Sequence, residues 1–213
     1  MLDELRGLGS AIGGVDVRID QPEDATLRAR GPESAYGVLH VAGHAEVFSE
    51  FPWRSGFLLD PRHPELEAGW LRADEVVAWK RAPPLVVLSG CGTAGGRTLP
   101  GQGIEGLTRA FLATGARAVV SSAWDADDAS AARIMKFFYE GLARRLPASA
   151  ALLEARRRIA READTEAPYY WSAFLLSGDG LVSPRLRART EPRGAGRPSG
   201  AAGARTLESR LAP

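Results

Sequence analysis

Residues 85–91, LVVLSGC, decide how this 213-residue chain is read. Four consecutive apolar residues leave no polar face, and a short run of this kind with two valines suits a strand buried on both sides. Such a strand needs helices above and below it, and the flanking pattern supplies them. Upstream lies YGVLHVA (36–42), a second strand rich in branched and aromatic side chains, followed by the brief strand GFLLD (56–60) and the short helix ADEVVAWK (73–80). Downstream, Ile104, Leu107 and Phe111 fall at helical spacing, and ARAVVSS (116–122) reads as another buried strand. Ile134, Met135, Phe138 and Leu142 form the stripe of a long helix; Leu152, Ala155 and Ile159 mark one more; WSAFLLSG (171–178) closes the pattern as a strand. At the N-terminus Leu2, Leu5 and Leu8 suggest a helix, VDVRID (15–20) a strand and EDATLRAR (23–30) a helix. The alternation predicts an α/β fold with a mainly parallel sheet and helices on both faces. Ligands of such sheets bind beyond the carboxyl ends of the strands.

Composition is that of one globular domain: 45% apolar and 25% charged residues, with a net charge of +1. No apolar run approaches the ~18 residues that cross a bilayer, and MLDELRGLGS lacks a signal-peptide pattern, so the expectation is a cytoplasmic protein with no membrane contact. Cys91 is the sole cysteine, which excludes an internal disulfide. Of 27 basic residues 25 are arginine, a bias that accompanies abundant Ala and Gly and carries no inference of nucleic-acid binding. Residues 184–213 hold seven Arg against two Glu among many Pro and Gly, with few core-forming residues. They read as a disordered basic tail, and residues 1–183 as the folded domain.

Three places invite chemistry. GQGIEG (101–106) matches the dinucleotide fingerprint literally, with Asp125 19 residues after Gly106, but that motif works only when its first glycine turns directly out of a strand. Gly101 comes 12 residues after Ser89, so no cofactor is assigned. LHVAGHAE (39–46) holds two of the three histidines. On a strand His40 and His44 stand about 13 Å apart, too far to share a metal ion, and no metal is assigned. Gly43 suggests that the strand ends there, leaving His40 inside the sheet and His44 on its rim. His63, between prolines, is given no role. Cys91 follows a buried strand and is flanked by Ser89, Gly90 and Gly92, small residues that let a substrate backbone approach. A thiol with an ordinary pKa near 8.5 needs a partner base, and His44 is placed to supply one.

Taken in order, HVAGHAE, LVVLSGCGTAGG, the block from Gly101 to Leu142, and PYYWSAFLLSGD resemble the signature blocks of the CHAT domain, a bacterial relative of caspases and separase among the clan CD cysteine peptidases. The resemblance runs from about Tyr36 to Asp179. It implies a caspase-like three-layer α/β/α sandwich and a hydrolase, a cysteine endopeptidase whose catalytic dyad is His44 and Cys91, with His40 as the frequent non-catalytic histidine. The backbone N–H groups of Ala45 and Cys91 are then the oxyanion donors. The family commonly has Gly where this chain has Ala45, Ala where it has Gly90, and an acid where it has Gln102. Ala45 serves provided the backbone there needs no glycine.

In caspase-like peptidases the segment corresponding to SSAWDADD lies along the substrate, which makes Trp124 a wall of the groove and Asp125 its charge, once Asp127 or Asp128 has capped the following helix. No basic side chain occurs between Val119 and Ala132, so the implied preference is for cleavage after Arg or Lys. The partner is then a protein or peptide substrate. Family members often carry a helical-repeat array and further strands before this region, where 35 residues precede Tyr36 here; an open sheet edge, self-association or a helical-repeat regulatory partner is the corresponding expectation. The other reading is a non-catalytic interaction module that keeps the dyad as a relic.

Overall fold

The computed structural model describes residues 37–48, 50–59, 69–91, 105–124, 126–184 and 186. The expected elements before Tyr36, His63, Asp125, Gln102 and the tail beyond 186 lie outside them. Six strands form one sheet: β1 (Val38–Glu46), β2 (Gly56–Leu58), β3 (Trp70–Arg72), β4 (Leu85–Cys91), β5 (Ala118–Ser122) and β6 (Phe174–Gly178), in the order β3-β2-β1-β4-β5-β6. β1, β4 and β5 run parallel at the centre, and the pairings outside them are antiparallel. The run LVVLS is therefore a central strand, as its lack of a polar face requires. β3 is a strand that the sequence pattern does not announce, since three residues are too few to show a period.

Helices cover both faces. α1 (Ala73–Val77) and α2 (Glu105–Ala113) pack Val76, Leu107 and Phe111 against Val41, Val86, Leu88 and Val119. α3 (Asp128–Ala143) and α4 (Ala148–Ile159) pack Ile134, Met135, Phe138 and Ile159 against Leu85, Val87, Ala118 and Val120. Alternate residues of β4 and β5 thus feed two separate cores, which is the three-layer α/β/α arrangement. The stripes at 107/111, 134/138 and 152/159 all lie on buried faces. A short helix, α5 (Pro168–Trp171), and a 3-10 turn (Pro52–Arg54) complete the described elements.

Gly106, the last glycine of GQGIEG, has a packing role. A Cβ there would stand 1.9 Å from the Pro52 carbonyl oxygen, so α2 and the 3-10 turn meet backbone to backbone. The close approach accounts for this glycine without a nucleotide.

Candidate active site

β1 does not end at Gly43, as expected from the sequence, but continues to Glu46. The glycine serves packing instead: the buried Phe57 ring lies beneath Gly43 and Gly90, and a Cβ on Gly90 would come within 2.6 Å of it. The alanine common at that place in the resemblance would press on this ring. His44 therefore sits within the strand, yet it is exposed, because the α3 layer that covers His40 does not reach it. Its ring meets Trp70 edge-on at 6.2 Å across the sheet.

His40 has a different environment. Its ring stacks on Tyr139 of α3, with Nδ1 3.0 Å from the Tyr139 hydroxyl. Desolvation pushes its pKa down to about 3, so it is neutral at physiological pH. The two histidines of one short stretch are thus separated into a neutral, enclosed ring and an exposed one.

The parallel ladder between β1 and β4 runs in register from Val38 opposite Leu85 to His44 opposite Cys91. His44 and Cys91 are consequently side by side at the carboxyl ends of adjacent strands, about 4.8 Å apart in backbone spacing. Local peptide orientation also follows. The Pro84 carbonyl accepts from the N–H groups of Arg117 and Ala118, so even-numbered residues of β4 turn their carbonyls toward β5. Gly90 obeys the same parity, and its carbonyl accepts a 2.8 Å hydrogen bond from the Ser122 hydroxyl. Carbonyl and N–H of a trans peptide point in opposite directions, which turns the Cys91 N–H toward β1. The register of His44 with Cys91 then turns the Ala45 N–H toward β4. Both N–H groups face one gap between the ends of two strands. While the last rung stays paired, the ladder pattern gives them the carbonyls of Gly43 and Cys91 as acceptors. Ala45 does not need to be glycine here: among the described residues Arg145 is the non-glycine with positive φ.

Aromatic residues follow both β1 and β5 in the chain. Beyond β1, Phe51 and Trp53 pack edge-on and remain 48% and 53% exposed. Beyond β5, Trp124 is half-buried and its Nε1–H donates to the Tyr169 carbonyl at 3.3 Å. Trp124 is thus tied to α5, which the run PYYW forms; its neighbour Tyr169 is exposed. Asp127 caps α3, accepting from the Ser130 N–H at 2.9 Å, and Asp128 lies in the first turn. Two residues at this end of β5 and β6 received no role from the sequence: Ser122, read there only as the end of a buried strand, and Arg156. Arg156 is half-buried and donates to the Phe174 carbonyl, the cross-strand neighbour of Ser122, and desolvation lowers its pKa.

Among the described residues no helix is long and apolar enough to cross a membrane. Similarity to known proteins agrees with the arrangement. The chain is 35% identical over 115 residues to tetratricopeptide repeat protein 28 of Mus musculus and, equally, of Homo sapiens. The match covers 54% of this chain and 5% of each relative, so the chain spans a small fraction of their length. The sequence pattern of the CHAT domain matches residues 3–179. With the three-layer sheet and the ordered blocks at its carboxyl edge, the chain belongs to the CHAT domain family.

Proposed function

We propose that this chain is a caspase-like cysteine endopeptidase whose dyad is His44 and Cys91. The observation that carries the reading is the register that sets these two residues opposite each other at the ends of adjacent parallel strands. In the proposed reaction the His44 imidazole takes the Cys91 thiol proton and the thiolate attacks the scissile carbonyl carbon. The resulting oxyanion enters the gap faced by the Ala45 and Cys91 N–H groups, which requires the last rung of the ladder to part. The C–N bond breaks as His44 returns the proton to the leaving amine, and a thioester remains on Cys91. Water, deprotonated by His44, then hydrolyses the thioester and restores the thiol.

Specificity is proposed for Arg or Lys before the cut. Asp127 is engaged at the helix cap, which leaves Asp125 as the acid of that segment to meet a cationic side chain, with Trp124 as the wall. The substrate is a protein or peptide, and a helical-repeat segment or a second copy is the proposed regulatory partner. The test is a fluorogenic panel with Arg, Lys, Asp and Leu at the cleaved position, run on wild type, Cys91→Ala, His44→Ala and Asp125→Asn. Cleavage after Arg or Lys that disappears in the first two variants and weakens in the third supports the reading. A preference for Asp overturns the specificity, and activity in Cys91→Ala overturns the mechanism.

One observation favours a second reading, that of a non-catalytic binding module: the ladder is paired through the His44–Cys91 rung. Labelling decides between them. A peptidyl electrophile that modifies Cys91 faster than it modifies free cysteine supports the enzyme; equal rates support the module.

A further inference from the structure

The β4–β5 ladder pairs from Leu85 opposite Ala118 to Leu88 opposite Ser121. Beyond Leu88 and Ser121 no further pair of the two strands is in register among the described residues. The Gly90 carbonyl lies past the paired rungs, and the group that meets it is a side chain, the Ser122 hydroxyl at 2.8 Å. Ser122 is itself 4% exposed. It stands on the face of β5 that also carries Ala118 and Val120, so its hydroxyl is held in an apolar layer.

The Gly90 carbonyl and the Cys91 N–H belong to one peptide unit. A donor on the carbonyl fixes the plane of that unit, and it also polarises the amide so that its N–H becomes a stronger donor on the opposite side. The opposite side is the gap shared with the Ala45 N–H. We propose that Ser122 is a positioning residue, which through the Gly90 carbonyl aims and strengthens the Cys91 N–H as an oxyanion donor. The inference rests on the endopeptidase reading and adds to it a residue that never touches substrate.

The experiment compares wild type, Ser122→Ala and Ser122→Thr, each first shown to be folded by its melting transition. Removal of an oxyanion donor outright costs about 100-fold or more in kcat, so loss of its alignment is expected to cost about tenfold in kcat with KM little changed. A peptidyl aldehyde, whose adduct with a thiol carries the oxygen that the gap receives, loses affinity by the same factor in Ser122→Ala. Iodoacetamide alkylates Cys91 without forming an oxyanion, so its rate stays near wild type. Ser122→Thr, which keeps the hydroxyl, restores both. An unchanged kcat and aldehyde affinity in Ser122→Ala overturns the proposal, as does an equal slowing of alkylation, which points to a disturbed thiol. A readout independent of turnover is the Cys91 amide resonance, which moves and exchanges faster in Ser122→Ala and returns in Ser122→Thr. An unmoved Cys91 amide overturns the proposal whether or not the protein cleaves peptides. A wild type that cleaves nothing sinks the endopeptidase reading, and the amide resonance still decides on Ser122.

Discussion

His40 and His44 show how much a single residue owes to what lies over it. They stand four residues apart on the same face of one strand, yet one is neutral under Tyr139 and the other is exposed beside Trp70. The His40 pKa, lowered by burial to about 3, has a consequence for acid stability. Between pH about 6.5 and about 3 the unfolded chain binds a proton at this residue that the folded chain refuses, so stability falls as pH drops through that window and is unaffected above it. At pH 5 the loss amounts to up to about 2 kcal/mol. Replacement by Leu is expected to flatten this part of the acid limb in urea titrations at pH 5 and 7; an equally steep limb in His40→Leu contradicts the assignment. Phe57 makes a second claim at this scale. Gly90→Ala drives a Cβ to within 2.6 Å of its ring, and overpacking of this kind costs about 1–3 kcal/mol. Phe57→Leu should recover part of the loss in a double-mutant cycle, and full additivity would mean that the ring is not the obstacle.

Among the helices, α2 offers a test in which two effects have opposite sign. Alanine is the better helix former by about 1 kcal/mol, so propensity alone makes Gly106→Ala stabilising. The Pro52 carbonyl stands 1.9 Å from where the new Cβ would be, so contact makes it destabilising. Backbone cannot yield as a flexible side chain does, and a net loss of about 1–3 kcal/mol is expected in chemical denaturation. A gain in stability would show that α2 and the 3-10 turn separate freely. The start of β6 is held in a related way by Arg156, which donates to the Phe174 carbonyl from α4. Arg156→Leu leaves that acceptor without its charged donor and should cost about 1–3 kcal/mol, read as a lower melting temperature. A variant as stable as wild type would show that the bond contributes nothing net.

For the molecule as a whole, the question is where the folded unit ends and what its edges meet. Leu186 still packs on the core beneath α3 and α4, three residues past the boundary read at Ser183. A chain truncated after 186 is therefore expected to melt within about 2 °C of the full chain, while truncation after 181 removes both Leu186 and the buried Val182 and should lower the transition clearly. Equal melting of all three would place the boundary earlier. β6 pairs with β5 along one side, and Leu175 on it is exposed. An edge of that kind favours strand pairing with a second copy, which concentration-dependent light scattering would reveal; a strict monomer at high concentration would argue against it.

The central strands and the three longer helices were legible from sequence, because each repeats a period long enough to read: unbroken apolar runs for β4 and β5, spacing of three and four for α2, α3 and α4. His44 and Cys91 stood out in the sequence as a proposed dyad because they fall in blocks that recur in a family; the structure puts both inside strands, near the carboxyl ends of β1 and β4. Two of the short elements were not. β3 and α5 contain three and four residues, too few for any period, and exist because β2 and α3 offer them partners. Nor does sequence state register. That His44 stands opposite Cys91, that the Ala45 and Cys91 N–H groups face one gap, and that the Ser122 hydroxyl reaches the Gly90 carbonyl all depend on how two strands slide past each other. A slip of one residue would reverse every face, and what prevents it is the simultaneous filling of two cores on opposite sides of the sheet.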